Sequence, residues 1–361
     1  MLCIFVDALN PEYLKEMPFL SSVKEKYLHG NLEVPLGYTG NIASFMTGVW
    51  PDKHGIFDLF VPDEKPHKKN SNKFLLGLIR LIKNKRLFYT PPKLKEMAWF
   101  KTSLDKNWAQ KGCLEYPTLF DILEKNGKSF ESIDWPNHFR NRKGNIFFSK
   151  NYQKILKMAK KSLADFIFVH FLDLEKAHEF GVKSEEVAKC AKGIDDSIRQ
   201  LWEKDENILI FSDHGMDNVK KELDIWSEIK RLDLRFGEDF LYIVGSTTVE
   251  FWCKNKEIEG RVIKMLKNLN YGKIIREKGF KIKTGSLIFL ADFKTAFYPN
   301  FFSEKRFKAM HGWNPKIQKT YYILKNSEKK GKKNAKMVDF FPTILSLMKI
   351  PPKQCDGKSL V

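Results

Sequence analysis

The sequence predicts an α/β fold with a mostly parallel central sheet flanked by helices. Short apolar runs alternate with amphipathic stretches along the chain, and ligand-type polar residues directly follow several of the apolar runs. The first pattern is typical of strands covered by helices, and the second is typical of open α/β sheets, whose sites lie at the carboxyl ends of strands. A chain of 361 residues is long enough to form one large domain over residues 1–361.

The predicted elements follow one another in alternating order. Residues 1–6 (MLCIFV) predict a first strand, and residues 41–48 (NIASFMTG) predict a helix. Residues 165–172 (DFIFVHFL) and 207–213 (NILIFSD) predict buried strands, and residues 185–204 between them have apolar positions at helical spacing. Because the order is strand, helix, strand, we expect a right-handed parallel crossover.

Two segments depart from this alternation. Residues 61–112 predict an inserted cap that lies over the site, and residues 245–300 predict a small α+β lobe. Within the cap, the basic amphipathic stretch 74–88 (FLLGLIRLIKNKRLF) has two interpretations. It either packs on its own domain as a cap helix, which is the commoner role, or contacts a membrane surface.

The net charge of +19 favours anionic partners, because a basic surface concentrates anions around it. Phosphorylated substrates, nucleic acid and anionic membrane all fit, and a lysine-rich surface that is merely solvated fits equally well. The chain has no zinc-finger spacing and no RNA-recognition motif, so no specific nucleic-acid binding is expected. Nothing in the sequence indicates the oligomeric state.

Cysteine usage and hydropathy predict a soluble cytoplasmic protein. The five cysteines are scattered and odd in number, which favours reduced thiols in a reducing compartment. The first residues lack a basic leader and a small-residue cleavage site. No apolar run approaches the ~20 residues that a membrane-spanning helix needs.

Residues that can bind metal ions form four clusters at the ends of predicted strands, around Asp7, Thr39, Asp173 with His178, and Asp213 with His214, and His311 is a further candidate. Carboxylate and imidazole groups are the usual ligands of zinc, and two four-coordinate ions need about eight ligand positions, some of them filled by water or substrate. Each cluster alone can be explained by a purely structural role, such as a helix cap, but together the clusters predict a two-metal site. The candidate ligands are Asp7, Thr39, Asp173, His178, Asp213, His214 and His311.

Thr39 is the candidate nucleophile, because it lies in a turn before the predicted helix of residues 41–48. Free N–H groups and the dipole at a helix start favour an anionic phosphate there. The alternative is that Thr39 only caps the helix. Asn41 is a candidate donor to a non-bridging phosphate oxygen, or a helix-start residue without such a role.

The order of these motifs resembles the alkaline phosphatase superfamily, and most closely its type I phosphodiesterase and nucleotide pyrophosphatase branch. The most specific segments are MTGVWPDKHGI, FSDHGM, MHGWNP and the C-terminal VDFFPTILSLMKIPPKQCDGKSLV. The resemblance runs from Met1 to Val361, with residues 61–112 matching least. It implies an alkaline phosphatase-like fold and hydrolysis of phosphate esters.

The resemblance also implies two divalent metal ions, with zinc preferred and manganese, which uses similar ligands, as the alternative. By carry-over, Asp7, Thr39, Asp213 and His214 would bind one ion, and Asp173, His178 and His311 the other. Thr39 would attack phosphorus and form a phospho-threonine intermediate. Strict motif spacing would place Tyr38 at the nucleophile position, and Ser44 is a more distant alternative.

The resemblance and the residues together favour a phosphodiester or pyrophosphate substrate. The tryptophan-rich basic cap could hold a base, a sugar or a lipid headgroup. The chain lacks the Cys/Ser-x-Pro-x-Arg motif of sulfatases, so sulfatase activity is not expected. The alternatives are a phosphomonoesterase and a non-catalytic protein that binds phospho-ligands or a membrane surface.

Overall fold

The computed structural model describes residues 1–36, 39–56, 60–63, 96–102, 114–133, 146–147, 152–275, 286–301, 306–326, 329–351 and 353–361. At positions 39, 97–98, 101–102, 146–147 and 286 it describes the backbone alone. The cap predicted over residues 61–112 lies mostly outside these ranges, and its stretch 74–88 lies entirely outside them.

The described strands are β1 Leu2–Val6, β2 Leu28–Glu33, β3 Phe60–Pro62, β4 Phe100–Thr102, β5 Phe130–Ile133, β6 Ile146–Phe147, β7 Phe166–Phe171, β8 Ile208–Phe211, β9 Asp217–Asn218, β10 Lys221–Leu223, β11 Phe240–Val244, β12 Thr248–Cys253, β13 Gly272–Ile275, β14 Ser286–Ala291, β15 Thr295–Phe297, β16 Ala309–Met310, β17 Thr320–Lys325, β18 Gly331–Lys332 and β19 Ala335–Lys336.

The described α-helices are α1 Pro18–Val23, α2 Thr39–Thr47, α3 Pro51–His54, α4 Leu119–Lys125, α5 Tyr152–Lys161, α6 Ala177–Phe180, α7 Glu185–Leu201, α8 Trp226–Arg231, α9 Lys256–Lys267 and α10 Phe340–Leu347. Short 3-10 helices cover Pro11–Glu16, Lys24–Lys26, Glu96–Trp99, Asp173–Lys176 and Met337–Asp339. Among the described residues, none of the helices combines the length and the hydropathy that a membrane span requires.

The central sheet confirms the predicted fold class. Its strand order is β18-β2-β17-β8-β1-β7-β5-β6, and β19 also pairs with β2. Strands β8, β1, β7, β5 and β6 run parallel, whereas β17 is antiparallel to both of its neighbours, β8 and β2. Helix α7 connects β7 to β8, and the first strand of the chain lies between those two strands.

Strand β1 is buried on both faces because helices cover the sheet on both sides. Cys3 and Phe5 pack into a cluster with apolar residues of α2, α4 and α10. The alternate residues Leu2, Ile4 and Val6 pack into a second cluster with residues of α5 and α7. This arrangement explains why the strand is a continuous apolar run rather than an alternating one.

A second sheet forms a lobe beside the central one. Its antiparallel strands have the order β11-β12-β14-β13, and α9 contributes Ile258, Val262 and Leu266 to a separate apolar cluster with the sheet. The lobe predicted over residues 245–300 contains three of these strands and α9, and β11 precedes it.

The C-terminal segment is bonded to the loop between α2 and α3. Asp356 N–H donates to the Gly48 carbonyl at 2.8 Å, and Trp50 N–H donates to Asp356 Oδ2 at 3.1 Å. The Asp356 side chain also forms an ion pair with Lys53. The WPDKHG segment therefore joins the end of the chain to α2, and α2 in turn reaches the site.

Candidate metal centre and active site

Three loops meet at the carboxyl edge of the parallel strands. Asp7 directly follows β1, whereas Asp213 and His214 follow β8. The segment that contains Glu175 and His178 follows β7. Because β1 pairs in parallel with both β7 and β8, these side chains converge from adjacent strands, as expected for this class of sheet.

Hydrogen bonds hold the loops after β1 and β8 together. The Ser212 hydroxyl accepts from Leu9 N–H at 2.9 Å and donates to the His214 carbonyl at 2.8 Å. The Asn10 side-chain amide donates to the Met216 carbonyl at 2.9 Å. The position of Asp7 relative to His214 is therefore fixed by backbone contacts as well as by the strands.

Asp7 lies at the centre of one group. Its Oδ1 is 3.4 Å from His214 Nε2, and its Oδ2 is 3.3 Å from His170 Nε2. His214 Nε2 is also 3.5 Å from Asp213 Oδ2. His214 Nδ1 donates to the Gly215 carbonyl at 3.1 Å, so Nε2 is the ring nitrogen that faces the two carboxylates, an orientation typical of metal-binding histidines.

Glu175 and His178 form the second group together with His311. His178 Nε2 is 3.1 Å from Glu175 Oε2, and its Nδ1 donates to the Ala309 carbonyl at 2.8 Å. The His311 ring is stacked on the His214 ring with centroids 3.8 Å apart, and its centroid is 5.2 Å from that of His178. His311 thus joins the two groups.

The structure places the Asp173 side chain outside this cluster. Its Oδ1 is 3.5 Å from Lys176 Nζ, and it lines a groove against α7. The reason is helical spacing, because residues three apart share a face. Within the short helices over Asp173–Lys176 and Ala177–Phe180, Asp173 faces Lys176, whereas Glu175 faces His178.

Gln318 fixes the backbone on both sides of His311. Its side chain accepts from Gly312 N–H at 3.1 Å and donates to the Met310 carbonyl at 3.2 Å. Asp217 Oδ2 lies 3.3 Å from the same amide nitrogen and fixes its orientation. The buried side chain of Gln318 therefore determines where the His311 ring can lie.

Helix α2 begins at Thr39 beside the loop after β8. The Thr39 side chain lies outside the described part of the chain, as does all of Tyr38. The Asn41 side-chain amide donates to the Asp213 carbonyl at 2.7 Å, so Asn41 attaches the first turn of α2 to the metal-ligand loop. A Cβ at Gly40 would lie 2.5 Å from the Ile56 carbonyl oxygen, so this close approach requires glycine.

Ser44 has the wrong surroundings for a nucleophile. Its hydroxyl is buried and 3.0 Å from His54 Nε2. His54 Nδ1 accepts from Ile56 N–H, so Nε2 carries the proton and donates to Ser44 rather than accepting from it. Burial lowers the pKa of His54 to about 3, which keeps the imidazole neutral as a structural hydrogen-bonding group.

Burial and neighbouring charges shift the pKa values of two carboxylates, Asp213 and Asp7, in opposite directions. Burial, reinforced by the charges of Asp7 and Glu175, raises the pKa of Asp213 well above its usual range. Burial also opposes ionisation of Asp7, but the hydrogen bond from His170 and the charges of His214, His170 and His178 lower its pKa. One carboxyl of this pair is therefore favoured ionised and the other protonated.

The pKa values of His178 and His311 are also shifted in opposite directions. Burial opposes the charged form of His178, but the charge and hydrogen bond of Glu175 raise its pKa. Burial of the ring, together with the positive charges of His214 and His178, lowers the pKa of His311 well below its usual value. His311 is therefore favoured as a neutral imidazole, which is the form that binds metals.

The cluster has the donors that a divalent cation requires. One oxygen each of Asp7, Glu175 and Asp213 is buried and accepts no hydrogen bond within the described part of the chain. The ligand atoms of Glu175, His178 and His311 lie within 4.8 Å of one another, as do those of Asp7, Glu175 and His214. Buried carboxylate oxygens without hydrogen bonds are costly, and a cation would offset that cost, so these residues fit a metal.

Sequence reasoning missed Glu175, His170 and Gln318. The spacing of three between Glu175 and His178 is a helical signal that identifies Glu175. His170 is in the middle of an apolar strand, and Gln318 is seven residues after His311 in a loop. Only the three-dimensional arrangement identifies these two residues.

Comparison with known proteins identifies the family of the chain. A model of the family described as type I phosphodiesterase / nucleotide pyrophosphatase matches residues 1–305. No curated protein matches the chain.

Solved structures share the fold over nearly the whole chain. Murine ectonucleotide pyrophosphatase/phosphodiesterase 5 superposes with a TM-score of 0.72 and 12% identity, covering 99% of this chain and 97% of that one. The human protein superposes with a TM-score of 0.71 and 15% identity at the same coverage. An inactive form of the murine protein in complex with AMP superposes with a TM-score of 0.71 and 13% identity, also at the same coverage.

The family model covers most of the chain, and the sheet carries a cluster of carboxylates and histidines where such hydrolases need one. The chain therefore belongs to the type I phosphodiesterase/nucleotide pyrophosphatase family of hydrolases.

Proposed function

We propose that this protein is a metal-dependent hydrolase of phosphodiester or pyrophosphate bonds, with nucleotides as the substrate class. The observation that carries the proposal is the cluster at the carboxyl edge of the sheet, where three carboxylates and three imidazoles meet. One oxygen of each carboxylate is buried without a hydrogen bond in the described residues. The family match and the AMP complex of the murine neighbour support nucleotide substrates.

The proposed ligands form two groups. Asp7, Asp213 and His214, with Thr39, would bind one ion, and Glu175, His178 and His311 would bind the other. Glu175 takes the place first expected for Asp173, because its carboxylate faces His178. A mixture of histidine and carboxylate ligands favours zinc, and manganese accepts similar ligands. When bound, such ions lower the pKa of a coordinated hydroxyl or water and neutralise charge on phosphoryl oxygens.

The proposed reaction has two steps, both at phosphorus. The Thr39 hydroxyl attacks the phosphorus and loses its proton while the bond to the leaving oxygen breaks, so the phosphoryl group is transferred to Thr39. Water then attacks the same phosphorus, and the Thr39 oxygen leaves and regains a proton. The dipole and the N–H groups at the start of α2 favour the anionic phosphoryl group beside Thr39. Asn41 holds this helix start against the ligand loop.

The charges around the cluster favour a diester over a monoester. Within the described residues, no lysine or arginine forms an ion pair with Asp7, Glu175 or Asp213, whose ionic partners are histidines. A dianionic monoester requires more positive charge at the phosphoryl group than a monoanionic diester. The described residues supply little charge beyond that of the ions themselves.

The substrate class is tested by hydrolysis of bis-p-nitrophenyl phosphate and p-nitrophenyl phosphate by protein loaded with zinc or manganese. We expect faster turnover of the diester and loss of turnover in a chelator. Faster turnover of the monoester would indicate a phosphomonoesterase. Absence of turnover with either substrate and either metal would indicate a protein that only binds phospho-ligands.

The nucleophile is tested by Thr39→Ala. This variant should lose turnover by on the order of 10⁴-fold or more, while its metal content, measured by atomic emission, stays largely intact. The matched control is Ser44→Ala, which removes a hydroxyl five residues further along the same helix and should keep most of the activity. Full activity in Thr39→Ala would show that another group attacks phosphorus.

A further inference from the structure

Helix α5 presents a row of lysines to solvent. Ile155, Leu156 and Ala159 are buried against the sheet, and α5 contains no acidic residue. The exposed side carries four lysines, which together with the residues at the two ends of the helix define the α5 face. The α5 face consists of Tyr152, Lys154, Lys157, Lys160, Lys161 and Leu163.

The two ends of the α5 face are apolar and exposed. Leu163 is 95% exposed and Tyr152 is 39% exposed. Among the described residues only one other large hydrophobic side chain is exposed, Ile317 at 51%. Single exposed hydrophobic residues are ordinary, but here two of the three lie at the ends of one four-lysine helix.

Three lysines of the α5 face, Lys157, Lys160 and Lys161, form no ion pair within the described part of the chain. Lys160 Nζ donates to the neutral amide of Gln200 at 2.8 Å. Lys204 Nζ donates to the carbonyls of Lys160 and Ser162 at 2.8 and 2.6 Å and adds a fifth positive charge at the end of the helix. A groove of about 570 Å³ lies along the lysines and is lined by Gln153, Lys154, Lys157, Met158 and Lys161.

We propose that the α5 face binds the surface of an anionic phospholipid membrane. Each lysine close to such a surface strengthens binding roughly fivefold. An exposed leucine and an exposed tyrosine can enter the headgroup region, where their apolar parts leave water. The exposed leucine favours a membrane over nucleic acid as the partner. An aliphatic side chain makes no favourable contact with a phosphate backbone, and proteins bind the bases of single strands by aromatic stacking.

Membrane binding and hydrolysis are separable in this arrangement. None of the lysines of the α5 face contributes to the metal cluster. Variants of these lysines should therefore hydrolyse a soluble substrate at the unaltered rate, so that failure of this proposal and failure of the proposed function are distinguishable.

The experiment is co-sedimentation of the full chain with phosphatidylcholine vesicles, with and without phosphatidylserine. We expect binding to the anionic vesicles only, with a loss of roughly 25-fold or more for Lys157→Glu with Lys161→Glu. Leu163→Ser should weaken binding severalfold. The matched controls are Lys329→Glu with Lys330→Glu, which reverses two exposed lysines elsewhere, and Ile317→Ser. Both controls should bind like the unaltered chain.

Three outcomes would overturn the proposal. One is equal binding to neutral and anionic vesicles, and another is an equal loss of binding in the control variants. The third is failure to bind any vesicle while an RNA oligonucleotide binds and Leu163→Ser leaves that binding intact, which would assign the α5 face to nucleic acid. If the double charge reversal does not fold, Lys157→Gln with Lys161→Gln replaces it, with a smaller expected loss.

Discussion

Neighbouring side chains of the metal cluster favour different protonation states of its two aspartates. Asp7 is favoured as a carboxylate by its histidine neighbours, whereas burial and the charges of Asp7 and Glu175 favour the protonated form of Asp213. Without a cation, the folded protein is therefore destabilised by its own ligands as they ionise. A ligand set that costs stability until the cation binds is consistent with a functional site rather than a structural one.

Asp213→Asn should stabilise the metal-free protein at neutral pH. The folded-state pKa of Asp213 is raised, so the folded state binds the proton more tightly than the unfolded state. The protonated Asp213 side chain contributes this stability in full below pH 3.8, the ordinary pKa of an aspartate. The contribution is lost as pH rises through the raised folded-state pKa. Each tenfold difference in proton affinity between the folded and unfolded states corresponds to about 1.4 kcal/mol of stability.

The measurement is denaturant unfolding of both metal-free proteins across the pH range. The free energy of unfolding of Asp213→Asn should exceed that of the unaltered chain by a margin that grows with pH. The same variant should bind less metal. A margin that is independent of pH would show that Asp213 is not the titrating group.

Glu175→Gln should lose metal, whereas Asp173→Asn should not. Glu175 Oε2 faces His178 at 3.1 Å, whereas Asp173 faces Lys176. We expect a loss of metal affinity of about 10- to 100-fold or more for Glu175→Gln and little change for Asp173→Asn, measured by zinc titration of the metal-free proteins. The opposite ranking would restore Asp173 as the ligand.

At the scale of elements, the site depends on loops that the strands bring together but do not fully fix. The loop after β16 is held by Gln318, which bonds to the residues on both sides of His311. Thr247 supports the same loop, because its hydroxyl donates to the His311 carbonyl at 3.3 Å. His311 is therefore positioned by side chains of two other segments.

Gln318→Glu should weaken metal binding without unfolding the protein. A carboxylate at this position can still accept from Gly312 N–H, but it cannot donate to the Met310 carbonyl, and it adds a charge beside Asp217. We expect about a 10-fold loss of zinc affinity with a nearly unchanged far-UV circular dichroism spectrum. Gln354→Glu, an exposed matched change, should have no effect, and an equal loss in both variants would exclude a positioning role.

The elements that could be predicted from sequence were those with long apolar runs. Strands β1 and β8 are apolar throughout, and β7 is apolar except for His170, because helices cover both faces of the sheet, so their runs and the polar residues after them are visible in the sequence. The turn geometry after β7 was not visible, and Asp173 was therefore expected where Glu175 lies. The strand β17 was not expected either, although TYYILK joins β8 in the centre of the sheet.

At the scale of the whole molecule, the motifs that carry the family resemblance have two different roles. FSDHGM and MHGWNP supply residues to the cluster, whereas WPDKHG and the C-terminal DGKSL hold the fold together around Gly48 and Asp356. Sequence spacing could not separate these roles. Cys3, Cys190, Cys253 and Cys355 are free thiols. The cytoplasmic location stays a prediction.

Gly357→Ala should destabilise the whole domain by about 1–3 kcal/mol. A Cβ at this position would lie 2.0 Å from the Val338 carbonyl oxygen, so the C-terminal segment would have to move away from the 3-10 helix Met337–Asp339. The matched control is Gly260→Ala in α9, where a Cβ meets nothing within 4 Å, and it should stabilise by about 0.5–1 kcal/mol. Thermal unfolding compares the two, and equal midpoints would contradict the close approach.

The position of β1 in the middle of the sheet has a consequence for how the protein is made. Leu2 pairs with Ile167 and with Ile208, so β1 leaves the ribosome long before either of its two neighbours. At ordinary elongation rates the wait for both neighbours lasts roughly 10–40 s. During that interval an apolar segment is without its partners on the nascent chain, so we expect more misassembly during synthesis than for a hairpin-built protein of equal size.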